Sequence, residues 1–352
     1  MYISPLNSKF MPDKLTADIF SYIERTRYAE KKNMVDDIAS ILFIQKSSAY
    51  KKIRGESSLS PDEIALLGKH YQFSVDDLLG IQLDRIYFDF PALNGVVRNV
   101  IDYLTPIEQD IKRVQLINPV IYYTSREIPI FYYYTSPRLS AFKFHVFYNI
   151  NWRDERFKMT SYDYKEYETH ALYLEKLKAI SSAYMGLDSV EVWNVTVFDN
   201  TLNQIRYFLE SGLMTDPAEA LLLHDEVRQL ILKLQDACAA QNKETFFRGS
   251  KFPGGLQLYN NEIAFTGNLI YVKSDSIRAV YTTFDNPNFL NSSNPRLCDY
   301  TQKWLDRIID NSIKISGGNT RDKSLFFNKI LEKVERSRKQ TESWIETNPR
   351  EN

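Results

Sequence analysis

The chain has 352 residues, of which 43% are hydrophobic and 25% charged, a globular composition that excludes a largely disordered chain. Its 44 basic and 45 acidic residues nearly cancel, which excludes a uniformly basic coat and leaves only a local patch for nucleic acid. Two cysteines are too few for a disulfide framework, and no apolar run is long enough to span a membrane. We therefore expect a soluble, cytoplasmic protein of about two or three domains.

Residues 1–80 are predicted to form an all-α domain of five short helices. Apolar residues recur at helical spacing in two stretches, residues 15–23 and residues 34–42. Residues 60–63 (Ser-Pro-Asp-Glu) combine a serine N-cap, a proline at the first helical position and a glutamate three residues after the cap. This capping box predicts a helix that begins at Pro61.

Residues 81–95 are predicted to be a linker, because they lack a clear period. Their aromatic side chains favour packing against the protein over free movement. From residue 96 onward, helices are predicted at 96–116, 163–184, 201–211, 217–241, 296–315 and 321–345, and strands at 119–134, 139–150, 190–197 and, as three short strands, 256–284. We expect residues 96–352 to form a larger α+β domain, in one or two parts, with a mixed or antiparallel sheet and C-terminal helices.

The most informative segment is residues 33–56. Its pattern predicts a helix over about 34–42, a tight turn at 43–45 and a second short helix that ends near 54. Between residues 45 and 54 there are four cations and no acid. Positive charge on a short polar helix is typical of an element that enters a DNA groove, because Lys and Arg attract phosphates while Gln, Ser and Lys read base edges.

The same segment resembles the Cro/repressor (Xre-like) helix-turn-helix family. The resemblance covers roughly residues 12–80 and rests on Ile38-Ala39, Leu42, Ile44, Ser47-Ser48, Ala49-Tyr50, Ile53-Arg54-Gly55-Glu56, Leu59-Ser60-Pro61-Asp62-Glu63 and residues 73–79. It implies that the second helix of the motif lies in the major groove with its N-terminal residues against the bases. The candidate DNA-binding residues are therefore Gln45, Lys46, Ser47, Ser48 and Tyr50, with Lys51, Lys52 and Arg54 facing the DNA backbone.

Two positions depart from the pattern of that family. Phe43 occupies the place in the turn where family members usually have glycine, and it predicts a differently shaped turn. Val35 occupies the place of a glutamine that usually binds phosphate, and it removes one positioning contact.

No catalytic or metal-binding motif accompanies this segment. The four histidines (His70, His145, His170 and His224) have no second ligand at metal-site spacing, and no glycine-rich phosphate loop or nucleophile elbow occurs. We expect His145 to lie on a sheet surface and residues 130–134 to form an aromatic strand packed under helices. No catalytic residue, cofactor or metal is expected.

These observations favour a sequence-specific transcriptional regulator whose C-terminal region senses a small-molecule or protein effector, or dimerises. Two alternatives stay open: an enzyme housed in residues 96–352 with the helical domain as a targeting module, and a protein-interaction adaptor. One recognition helix covers only a few base pairs, so we expect a homodimer that is held through the C-terminal region. Its partner would be an inverted repeat in double-stranded DNA, without contact to a membrane.

Overall fold

A computed structural model describes residues 12–27, 31–71, 73–79, 86–90, 97–152, 159–246, 252–263, 267–285, 287–318 and 320–348. The chain is an α+β protein with a mixed sheet of seven strands, and it divides into two compact units at residues 86 and 87. In these ranges no helix combines the length and the apolar character that crossing a membrane requires.

The first unit is built from helices packed around a small core. The helices are α1 (Pro12–Arg27), α2 (Lys31–Ile41), α3 (Lys46–Ile53), α4 (Pro61–Tyr71) and α5 (Val75–Leu78). The predicted capping box at the start of α4 is confirmed: the Ser60 N–H donates to Glu63 Oε2 at 2.7 Å, and the Glu63 N–H donates to Ser60 Oγ at 3.2 Å. The buried core is formed by Ile19, Phe20, Ile23, Met34, Val35, Ile38, Ala39, Leu42, Ala49, Leu59, Leu67 and Tyr71.

The second unit combines the sheet with a larger set of helices. Its helices are α6 (Val100–Leu116), α7 (Ile130–Tyr133), α8 (Pro137–Phe147), α9 (Lys165–Glu168), α10 (Ala171–Met185), α11 (Asp199–Glu210), α12 (Ala218–Ala240), α13 (Pro295–Asp310) and α14 (Thr320–Thr347), with a π-helical turn at Tyr148–Trp152 and a 3₁₀ turn at Glu244–Phe246. Its strands are β1 (Val120–Thr124), β2 (Asp188–Trp193), β3 (Leu256–Asn260), β4 (Leu269–Lys273), β5 (Arg278–Asp285), β6 (Asn288–Ser292) and β7 (Ile313–Lys314).

The strand order is β6-β5-β4-β1-β2-β3-β7. The neighbouring strands β1, β2 and β3 are parallel, and the strands on either side of them run antiparallel to their neighbours. Parallel neighbours require crossover connections, and α7 to α10 connect β1 with β2 while α11 and α12 connect β2 with β3. The sheet is therefore of the mixed kind that the sequence allowed.

The two faces of the sheet are covered unequally. Tyr123 of β1 lies in register with Glu191 of β2 and Ile270 of β4, so their side chains share one face. Most helices of the unit contribute to the large core on that face. On the opposite face, α13 places Cys298 and Leu305 against β4 and β5 in a small separate core.

Part of the predicted linker is an extra edge of this sheet. The Asp89 N–H donates to the Asn291 carbonyl at 2.7 Å, and the Asn291 N–H donates back at 2.9 Å. The Phe90 ring meets the Phe284 ring edge-on, with 5.3 Å between centroids. Packing of the linker is thus confirmed for Asp89 and Phe90, whereas Tyr87 and Phe88 are exposed. Residues 81–85 and 91–95 lie outside the described residues.

Two of the predicted strands are wrong. The strand at 119–134 ends at Thr124 and its aromatic residues form α7, while residues 139–150 belong to α8 and the π-helical turn. Ser136 caps α8 by accepting the Leu139 N–H at 3.2 Å, and Pro137 is its first residue. Because α8 is buried on every side, its sequence shows no amphipathic period. Its many aromatic residues are typical of strands, which explains the wrong prediction.

The predicted position of His145 is consequently wrong. It lies buried within α8 and not on a sheet surface, with Nε2 at 3.0 Å from the Thr160 carbonyl oxygen. Burial lowers its pKa.

Candidate nucleic-acid interface

Helices α2 and α3 cross closely because the residues between them are small or apolar. Ala49 of α3 and Ile38 of α2 are fully buried, and Ala39 is nearly so. Ile44, in the turn between the helices, packs against the same core. These residues form an apolar contact between the two helices, and it places the polar residues of α3 on the outside.

Both helices end in the same hydrogen-bonded closure, a Schellman motif. After α3, the Gly55 N–H donates to the Lys52 carbonyl and the Glu56 N–H donates to the Lys51 carbonyl, with Gly55 at φ +75°. After α2, the N–H groups of Phe43 and Ile44 make the equivalent bonds to Ser40 and Ala39.

Phe43 has φ +53° in that motif, the left-handed conformation that glycine adopts most easily. The turn therefore has the shape that a glycine would give, and the different turn expected from Phe43 is not formed. The Phe43 side chain is 88% exposed, so no packing offsets the unfavourable backbone conformation.

Phe43→Gly is therefore expected to stabilise the α2–α3 pair by about 1 kcal/mol. The free energy of local opening is to be measured by hydrogen exchange of the amides from residue 38 to residue 49. Gly55→Ala is the reciprocal control, since it places a side chain at φ +75° and should destabilise the pair by a similar amount. Slower exchange in wild type than in Phe43→Gly would contradict this account of the turn.

The predicted reading residues lie on the outer surface of this helix pair. Gln45 precedes α3 in an extended conformation and makes no side-chain capping bond. Lys46, Ser47, Ser48 and Lys51 are also exposed. Their exposure leaves these side chains available to a ligand at the N-terminal end of α3.

Two of the candidate residues are oriented by neighbours. Lys46 Nζ lies 2.8 Å from Asp36 Oδ1 in an exposed ion pair between α3 and α2. The Arg54 guanidinium lies over the Tyr50 ring at 5.7 Å from its centroid, and it also approaches Glu56 at 4.0 Å. Exposed pairs of this kind contribute at most about 1 kcal/mol, so a phosphate can replace the carboxylate partner.

Lys52 differs from the other cations of α3. Its Nζ lies 2.9 Å from Glu63 Oε2 and donates to the Ser58 carbonyl at 2.9 Å, and its side chain is only 14% exposed. Burial raises the pKa of Glu63, but the bond from the Ser60 N–H and the Lys52 ammonium together outweigh this effect. The pKa therefore lies below its ordinary value. These bonds show that Lys52 holds α3 against α4. Its predicted contact with the DNA backbone stays a prediction.

No local pattern in the sequence indicates Asp36 and Glu63 as partners of these lysines, because each belongs to a different helix from its partner. Val35, the second departure from the family pattern, is buried in the core of the first unit. Among the described residues, no three His, Cys, Asp or Glu side chains are grouped as they are in a metal site.

Comparison of the chain with protein-family models, curated proteins and solved structures found no match.

Proposed function

We propose that the protein is a sequence-specific DNA-binding regulator that reads double-stranded DNA with α3. The observation that carries the proposal is the exposed row from Gln45 to Ser48 at the start of a helix whose inner side is anchored by Ala49. A short helix fixed on one side and polar on the other is the arrangement that places base-reading side chains in a major groove.

The charge of the surface supports the same proposal. With Lys52 held by Glu63, the exposed cations of the segment are Lys46, Lys51 and Arg54. Three cations next to hydroxyl and amide side chains suit a surface that combines phosphate attraction with base contacts. Asp36 and Glu56 lie next to Lys46 and Arg54 and offset part of this positive charge. We therefore expect moderate affinity for a single DNA half-site.

We further propose that a homodimer, held through residues 96–352, binds an inverted repeat. The second copy doubles the contacts that one short helix makes, since each copy reads one half-site. Phe326, Ile330 and Val334 of α14 are buried in the core of their own unit, so we place the proposed dimer contact elsewhere in residues 96–352.

The test is selection of bound sequences from random double-stranded DNA with the full chain, followed by mobility shift at increasing salt. We expect an inverted repeat to be enriched, and the logarithm of affinity to fall linearly with the logarithm of salt concentration. Failure of the full chain to bind any DNA at low salt would overturn the proposal and favour the protein-interaction adaptor.

Substitutions in α3 separate the two kinds of contact. Lys51→Ala is expected to weaken binding to all sequences alike and to reduce the salt slope by about 1, because it removes a phosphate contact. The double variant Gln45→Ala/Ser47→Ala should narrow the gap between selected and unrelated DNA, by about 1–3 kcal/mol for each lost base contact. Lys69→Ala in α4 is the matched deletion of an exposed charge and should leave binding unchanged. If Lys51→Ala changes the sequence preference instead, Lys51 contacts a base and not a phosphate, which contradicts this assignment.

A further inference from the structure

The second unit contains a cavity of about 370 Å³ between α6 and the sheet face that carries Tyr123. This volume lies at the lower end of the roughly 300–1,000 Å³ that small-molecule sites occupy. The helix contributes Ile107 and Val114, and the sheet contributes Ile270 and Tyr281. These side chains are only half-buried although they point into the unit, because the cavity leaves them without neighbours on one side.

An ion pair lies at one side of the cavity and is saturated by its own neighbours. Lys143 Nζ contacts Glu127 Oε1, donates to Gln204 Oε1 at 2.8 Å and lies 3.4 Å from Thr201 Oγ1. Glu127 also accepts from the Thr201 hydroxyl at 2.8 Å and from Asn200 Nδ2 at 3.2 Å. All three ammonium protons have acceptors and both carboxylate oxygens have donors, so the pair offers no charge to a ligand.

Two other polar groups on the cavity wall have donors to spare. Tyr123 is 2% exposed, and its hydroxyl makes no hydrogen bond to any residue that the structure describes. Burial raises the pKa of this hydroxyl, which therefore keeps its proton and is a donor. Asn268 uses its side-chain oxygen to accept the Arg126 N–H at 2.8 Å, while its Nδ2 has no acceptor among the described residues.

A buried hydroxyl without a partner is unfavourable in an apolar environment, and an acceptor on a bound molecule removes that cost. The rim of the cavity adds a second constraint on the ligand, because Asp102 and Asp110 are exposed carboxylates there. Asp110 is paired with Arg113 at 3.2 Å, and Arg113 does not line the cavity. Lys143 is the one cation among the described lining residues, and Glu127 already neutralises it. An anionic ligand would meet acids at the entrance and no free cation inside.

We propose that this cavity binds a neutral, largely apolar small molecule that carries a carbonyl or similar oxygen acceptor for Tyr123 and Asn268. The proposal concerns the second unit alone and does not depend on DNA binding. The binding mode is burial of an apolar body, with one or two hydrogen bonds that fix its orientation.

The experiment uses the full chain and two fluorescent probes of similar size. Prodan is a neutral naphthalene with one ketone carbonyl, and anilinonaphthalene sulfonate is an anion. We expect saturable binding of prodan with blue-shifted emission. The sulfonate should bind at least about tenfold more weakly, because its charge would lose its hydration without gaining a cation as partner. Equal or tighter binding of the sulfonate, or no prodan binding up to its solubility limit, would overturn the proposal.

Substitutions test whether prodan lies in this cavity. Tyr123→Phe keeps the shape of the wall and should weaken binding about three- to tenfold, the effect of one hydrogen bond. Ile107→Trp fills the space and should abolish binding, whereas Leu116→Trp adds the same ring at an exposed position of α6 and should not. Circular dichroism checks that each variant is folded.

The results for Tyr123→Phe and Ile107→Trp are interpreted together. If Ile107→Trp does not fold, Tyr123→Phe still tests the hydrogen bond on its own. Prodan binding that is unchanged in both cavity variants would show that the probe occupies an exposed apolar surface, and it would overturn the proposed site.

Discussion

Lys143→Met is expected to lower the free energy of unfolding of the second unit by about 3–5 kcal/mol, because it leaves the Glu127 carboxylate buried without its counter-ion. The Lys143 side chain is 2% exposed and that of Glu127 7% exposed, so water cannot replace the lost ammonium. Urea unfolding followed by tryptophan fluorescence measures the change, since all four tryptophans belong to this unit.

Two further variants separate loss of the pair from loss of its packing. Glu127→Gln/Lys143→Met removes both charges and should recover much of the stability, because replacing a buried pair by neutral groups is often neutral. Lys112→Met removes an exposed lysine from Glu108, which keeps Lys176 as a partner, and should change stability by less than about 1 kcal/mol. A double variant as unstable as Lys143→Met would show that packing, and not charge, causes the loss.

Acidification provides an independent check on the same pair. Burial raises the pKa of Glu127, but the Lys143 ammonium and the hydrogen bonds to the carboxylate outweigh it, so the pKa lies below its ordinary value. The stabilisation is therefore present above the ordinary glutamate pKa of about 4.3 and is lost as the pH falls from there through the folded-state pKa. Wild type should lose stability in this range more steeply than Glu127→Gln/Lys143→Met.

Gly254→Ala is expected to destabilise the same unit by about 3 kcal/mol or more, a large value for a single added methyl group. The new Cβ would lie 2.1 Å from the Leu187 carbonyl oxygen and 2.4 Å from its carbon. Those atoms are backbone and cannot rotate away. The Gly254 N–H also donates to the Met185 carbonyl at 2.8 Å, so any shift of the chain weakens the connection that starts β3.

Gly186→Ala is the matched control for Gly254→Ala. It adds the same methyl group next to Leu187 in sequence, but its nearest neighbours are at 3.6 Å, an ordinary contact distance. We expect a change within about 0.5 kcal/mol in the same urea experiment. Similar losses in the two variants would indicate a general glycine effect and contradict the proposed backbone clash.

Local signals in the sequence predicted some elements well and others poorly. Ser60-Pro61 predicts the start of α4 correctly, whereas the aromatic residues after the equivalent Ser136-Pro137 favour a strand in place of α8. A helix with a polar side shows its period in the sequence, and a helix buried on every side does not. The sequence therefore predicts α4 correctly and predicts a strand in place of α8.

The candidate site divides in the same way between local and distant contacts. Burial of Ala49 and exposure of its neighbours follow from helical spacing within one short segment. The role of Lys52 depends on Glu63 in the next helix, and the cavity joins residues as distant as Tyr123 and Tyr281. Such pairings arise from tertiary packing, which a single sequence does not reveal.

The two cysteines offer an experimental opportunity. Both Cys238 in α12 and Cys298 in α13 are free and fully buried, and the first unit has no cysteine. A thiol introduced at Ser47 would therefore be the accessible one under native conditions. In the proposed complex with DNA, a cleavage reagent attached there would cut the DNA beside α3, and the positions of the cuts would report the register of the helix on its binding site.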